Sequence, residues 1–216
     1  MSRLRSVIRV RRAVLAATVV GFASLSYGVG TESFTATVLP AGDPPPRTWE
    51  GASALTPMQI SVHIDKWSTS EEIRRIKTVL DQDGPDAAAR LIRSANVGKV
   101  IPPPHVAFGI GFAGGGREPT WRLVLAYARQ TPVEREILLI ADRPLDVYDT
   151  STVEPRNADN LGFGAIALGL DNNGRGKGRI LPRARVQFLD NGGIALVAPP
   201  PSAPSYAMVE VRALAK

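Results

Sequence analysis

Two histidines are the only imidazoles in this chain, so any acid-base or ligand chemistry of that kind falls on His63 or His105. They lie on different predicted strands and do not form the i, i+4 pair that makes a helical metal site. His63 shares the polar side of its strand with Ser61 and Asp65, which makes a solvent-facing histidine the simplest reading. A Ser-His-Asp triad assembled in space stays open, although no GxSxG elbow supports it. Carboxylates follow one apolar run closely: Asp142, Asp146 and Asp149 come after Ile137 to Ala141. A hydrolytic acid and base pair would need two of them facing each other across a cleft. Asp142-Arg143-Pro144 is equally explained by an ion pair or an Asp-anchored turn where a strand leaves its sheet.

The basic residues Arg175, Lys177, Arg179, Arg183 and Arg185 are expected to form one local positive patch. It suits phosphate, lipid head groups or an anionic envelope polymer, but no aromatics interleave to stack bases, which excludes a nucleic-acid reading. The competing account is a solvated hairpin whose charges blunt an exposed edge. Gly109-Ile110-Gly111-Phe112-Ala113-Gly114 has the GxGxxG spacing, yet an alternating strand follows where a phosphate-binding helix should open, so a glycine-rich hairpin tip is the better reading. Asp171 and Asn173 resemble the start of a calcium loop that lacks its closing carboxylate. No cofactor or metal is expected. The chain has no cysteine, which removes disulfides, thiolate nucleophiles and Cys-ligated metals.

These residues must be positioned by an α+β fold, mostly antiparallel sheet, barrel- or sandwich-like, with two short helices after the second strand. The organising stretch is Ile60 to Leu80. Ile60, Val62 and Ile64 alternate with polar residues as a half-buried strand does. At Trp67 the period changes; Ser68 with Glu71, or Thr69 with Glu72, gives two overlapping capping-box readings. Ile73, Ile76, Val79 and Leu80 then share a helix face. A second helix is expected over Asp86 to Ser94, with Pro85 at its start.

Strands are expected over 33–39, 105–113, 121–130, 134–141, 161–170, 179–189, 194–198 and 206–213. Trp121, Leu123, Leu125 and Tyr127 are expected on one face, either lining a cavity for a small apolar ligand or filling the core. The sheet then either wraps the helices or closes on itself. Asn173-Gly174 and Asn191-Gly192-Gly193 signal hairpin turns.

Of the 26 basic residues, five lie in the first twelve positions, and the remaining 21 face 20 acidic ones. The high isoelectric point is therefore a property of the N-terminus. Residues 1–28 read as an export signal: basic start, apolar Ala13 to Ala23, then small residues with cleavage after Ser26 or Gly28. The alternative is an uncleaved inner-membrane tether, though Gly, Ser and Thr dilute the apolar run. Residues 29–216 are expected to form one exported domain, periplasmic or extracellular, with a Pro-rich loop at 40–57 and no stable membrane span after cleavage.

The alternating strand ending in Trp67-Ser68-Thr69 before acidic residues, the run Tyr127-Ala128-Arg129 before Thr131-Pro132, the ADRP segment Ala141 to Pro144 and a late Asn-Gly hairpin together resemble a family of exported bacterial proteins of unknown function. The resemblance covers roughly residues 32–212 and departs at the loop 40–57 and at 109–118. It implies export and a single domain, and it transfers no catalytic residue. The functional expectation is a non-enzymatic binding or envelope-associated module; the alternative is a hydrolase of envelope or extracellular polymers.

Overall fold

The structure, a computed structural model, describes residues 30–41, 57–102, 120–145, 147, 162–197 and 205–214. The elements in chain order are β1 (Glu32–Ala41), β2 (Met58–Ile64), α1 (Ser70–Asp83), α2 (Pro85–Ser94), β3 (Gly98–Ile101), β4 (Trp121–Gln130), β5 (Arg135–Ala141), β6 (Phe163–Leu170), β7 (Arg175–Phe188), β8 (Ile194–Val197) and β9 (Ser205–Ala213). The stop between the helices is Gly84, whose φ of 83° suits a residue without Cβ, and Pro85 then opens α2. Of the two capping-box readings, the molecule uses Thr69: its hydroxyl accepts from the Glu72 amide at 3.1 Å, and Glu72 accepts from the Thr69 amide at 2.8 Å. Ser68 instead accepts from the Ala126 amide at 3.1 Å and donates its own amide to the Ala126 carbonyl at 2.7 Å, tying the approach to α1 onto β4. The segments 1–29, 42–56 and 103–119 lie outside the described residues. They hold the signal, most of the Pro-rich loop and the expected strand 105–113.

Every strand pairs antiparallel with its neighbours, and the sheet closes. The ring runs β1-β2-β3-β4-β5-β6-β7-β9 and back to β1, making an eight-stranded barrel. The first part of β7 is hydrogen-bonded to β6 and β9; its last part leaves the ring and pairs with β8. Closure matters energetically because it removes the open edges that an antiparallel sheet otherwise exposes.

The lumen is filled. Each of the eight strands sends at least one fully buried apolar side chain inward: Phe34, Ile60, Val100, Leu123, Leu139, Ile166, Ile180 and Met208 belong to one cluster. Leu145 and Val147 join them from the segment after β5 and plug one end of the barrel. A second cluster lies outside the wall, where Ile73, Ile76, Ala88 and Ile92 of the helices meet Leu138, Ile140, Phe163 and Leu181. The helices therefore pack on the barrel, and the sheet does not wrap them. The β7–β8 ribbon folds over the same layer with Phe188 and Ile194.

Bulges on β4, β7 and β9 decide which face a side chain reaches; the one on β9 falls at Glu210, with φ of 52°, and keeps Arg212 on the outer wall while Met208 and Val211 face the lumen. On β4, Leu123 pairs with Ala141 and Leu125 with Ile140, so one extra residue sits on β4. The expected common face of Trp121, Leu123, Leu125 and Tyr127 is split there: the first two join the lumen, and the latter two pack against the helices. A second extra residue on β7, between Leu181 and Ala184, falls at Pro182, which cannot donate to a ladder.

Candidate functional site

His63 stands on the outer wall, flanked in register by Ser33 on β1 and Lys99 on β3. Its Nδ1 is 2.9 Å from the Ser33 hydroxyl. The pair has the first two members of a nucleophilic triad and lacks the rest. Among the described residues no carboxylate orients the ring. The surrounding strand amides are spent on the ladder, so no pair of free N–H groups converges on an oxyanion. Lys99 in turn faces Arg122 on β4. His63, Lys99 and Arg122 thus form a row across three strands.

Asp142 is committed to Arg122. Its Oδ2 accepts from the Arg122 Nε at 3.2 Å and lies 3.2 Å from Nη2, while Nη2 also donates to the Arg93 carbonyl at 2.9 Å. This clamp joins the strand end to the last turn of α2, where a cation complements the helix dipole. The Asp142 Oδ1 is buried and has no hydrogen-bond partner among the described residues. Arg143 is exposed and donates to the Thr120 carbonyl at 2.8 Å. Asp146, Asp149, His105 and the glycine motif 109–114 lie outside the described residues. No group of three or more His, Cys, Asp or Glu side chains among the described residues is placed to hold a metal ion.

The basic residues of β7 do not form the single patch expected of them. Arg175, Lys177 and Arg179 alternate with the inward-facing Gly176, Gly178 and Ile180, so they stand exposed on the outer wall. Beyond the Pro182 bulge the phase reverses: Ala184, Val186 and Phe188 face the helices, and Arg183 and Arg185 face the other way. Arg212 on β9 lies directly opposite Arg175 and extends the outer group. None of Arg175, Lys177, Arg179 or Arg212 makes a salt bridge with a described residue. Ala167 and Ala207 flank Arg179, which leaves the wall low there, whereas Gly169 beside Lys177 is covered by the Glu134 carboxylate, which stands where a Cβ would be.

The end of the barrel away from Leu145 carries an arrangement that was not singled out in the sequence. Glu32 is in phase with Phe34 and Ala36, and Arg135 with Ile137 and Leu139, so both point inward. Arg135 donates to both Glu32 carboxylate oxygens, at 2.7 and 2.8 Å, and its guanidinium lies 5.0 Å from the centroid of Trp67. Beside this bridge is a mouth of about 240 Å³, lined also by Gln130, Asp171 and Asn172 over Leu170, Gly174 and Ala213. Asp171 Oδ1 accepts from the amides of Arg175 at 2.9 Å and Asn173 at 2.8 Å. Those bonds, the Arg175 amide first, hold its carboxyl below the usual carboxylate range. A charged residue in phase with an inward apolar run was the available signal; it can be read only once the barrel is known to close.

No family model, curated protein or solved structure matches this chain. Among the described residues no helix is long and apolar enough to cross a membrane.

Proposed function

We propose that this chain is an exported, non-enzymatic binding module that holds an anionic envelope polymer on the outer wall of its barrel. The observation that carries the reading is the stripe of Arg175, Lys177 and Arg179, joined by Arg212; among the described residues none of the four makes a salt bridge, although the Asp171 carboxylate attracts Arg175. Charged residues on an edge strand serve to prevent aggregation. That account does not serve here, because this part of β7 is hydrogen-bonded on both sides. Arg175 and Arg212 sit directly opposite each other, an arrangement that repels. A polyanion laid along β7 relieves that repulsion and meets a cation about every 7 Å, two residues of strand rise.

Two further observations support binding without turnover. The Ser33–His63 pair sits in a flat ladder without an oxyanion site, and Asp142 is spent on Arg122. The filled lumen turns the reading away from a small apolar ligand and toward the surface. Export rests on the basic and apolar pattern of residues 1–28, and the resemblance to exported bacterial proteins agrees with it.

The test is retention of the mature protein on immobilised polygalacturonate, with neutral dextran as control. Retention that falls at least tenfold between low and physiological salt, and is lost in a Lys177→Glu, Arg179→Glu double variant, is the expected result. Retention indifferent to salt or to that double variant contradicts the proposal.

A further inference from the structure

Resting on the reading of the basic stripe, we infer that the polymer does not end on β7: its course turns at Arg175 and crosses β9 and β1 to a second anchor, His63 with Lys99, which acid strengthens.

The ladders lay out this course. Arg175 on β7 is opposite Arg212 on β9, and Arg212 is opposite Thr35 on β1. Ser33, two residues back on β1, is opposite His63 on β2, and His63 is opposite Lys99 on β3. These residues stand on the outer wall, because Phe34, Val62, Val100 and Val211, which alternate with them, face the lumen. With strands about 4.8 Å apart and two residues rising about 7 Å, the backbone step from Arg212 to His63 is about 12 Å. Ser33, Thr35 and Ser61 span that step with hydroxyls, which donate to and accept from the hydroxyls that a sugar chain carries between its carboxylates.

The charges around His63 make the anchor conditional. Lys99 is exposed and makes no salt bridge with a described residue. Arg122 beyond it is spent on Asp142. Asp65, exposed two residues past His63, offsets Lys99 in charge count. β1 brings only the Ser33 hydroxyl, since Glu32 turns inward to Arg135. Glu210, at the β9 bulge, accepts from the Thr37 hydroxyl at 3.4 Å and lies toward the stripe. A neutral His63 therefore leaves the anchor without excess charge, and a protonated one makes it cationic.

The Ser33 hydroxyl, 2.9 Å from His63 Nδ1, adds to the effect. Both nitrogens of an imidazolium carry protons. Nδ1–H then gives its hydrogen bond to the Ser33 oxygen, which leaves the Ser33 proton to meet an anion. One protonation thus supplies a charge and a hydroxyl donor, and both favour a carboxylate.

The experiment titrates fluorescent trigalacturonate and dodecagalacturonate at low salt. The proteins are wild type, Lys99→Gln, His63→Gln, Arg179→Glu and, as a charge lost away from the course, Arg183→Gln, each checked by thermal melting. The trimer covers only the stripe, whereas the dodecamer reaches the anchor. The gain in affinity from trimer to dodecamer should fall about fivefold or more in Lys99→Gln and hold in Arg183→Gln. Lowering the pH from about 8 to about 5.5, with the uronates still charged, should tighten the dodecamer about threefold or more in wild type and leave His63→Gln flat.

A length gain that is equal in wild type and Lys99→Gln overturns the inference. So does a pH response that is missing from wild type or survives in His63→Gln. Arg179→Glu separates this outcome from the fate of the stripe. If it weakens the trimer while Lys99→Gln keeps the full length gain, the stripe stands and the crossing falls; if the trimer is indifferent to Arg179→Glu, the stripe falls and the crossing with it.

Discussion

Glu32 and Arg135 meet across the barrel from opposite strands of the ring. β1 and β5 are four strands apart in either direction, and the two side chains bridge the lumen with paired bonds of 2.7 and 2.8 Å. Below the bridge the lumen is wholly apolar; above it lies the mouth. The pair therefore joins strands that no ladder connects and seals the apolar interior from water.

Breaking this bridge on one side should be costly. Arg135→Met leaves the Glu32 carboxylate inward and uncompensated, and a loss of about 2–4 kcal/mol is expected in urea unfolding. The double variant Glu32→Met, Arg135→Met should recover most of that loss, because two apolar side chains extend the core. Strictly additive losses in the double-mutant cycle would show that the two residues act independently.

Gly98 opens β3 with φ of 152°, and a Cβ there would overlap the carbonyl oxygen of His63. The clash is with backbone in a central ladder, which cannot move aside without parting β2 from β3. Gly98→Ala is expected to destabilise by about 3 kcal/mol or more, or to prevent folding. Thermal unfolding is the check, and a melting temperature within a degree or two of wild type would refute the register at that point.

The start of α1 should weaken in acid. Burial pushes the Glu72 carboxyl up, but the Thr69 amide and the Lys66 ammonium outweigh it and hold the group below its ordinary value of 4.5. A carboxyl depressed in the folded state stabilises fully above its unfolded value and loses that contribution as pH falls through the folded one. Amide exchange in the first turn of α1 should therefore accelerate below about pH 4. Thr69→Ala should cost about 1 kcal/mol, and Glu72→Gln should flatten the pH dependence of the first turn. Exchange that is equally pH-dependent in Glu72→Gln would disprove the assignment.

What the sequence disclosed and what it concealed divide along a physical line. Local signals were enough for α1 and α2, because caps, Gly84 and Pro85 act within a few residues. Alternation located β2 and β4, and an apolar run located β5. Neither signal located β3, whose four residues are too short to show a period. Nor did it foresee the bulges. One inserted residue on β4 sends Leu125 and Tyr127 to the helices, and another on β7 parts Arg183 and Arg185 from Arg175, Lys177 and Arg179. A sequence carries no mark of how many residues face a partner strand. The Glu32–Arg135 bridge was hidden for the same reason: 103 positions apart in the chain, the two residues become neighbours only through ring closure.

That split gives the most direct test of the central claim. The affinity of fluorescently labelled polygalacturonate should be measured at low salt for wild type, Arg179→Glu and Arg183→Glu, with folding confirmed for each. If the outer wall of β7 is the binding surface, Arg179→Glu lowers affinity about tenfold or more and Arg183→Glu, on the opposite face beyond the bulge, changes it little. Equal losses in the two variants, or none in either, would contradict binding along that wall.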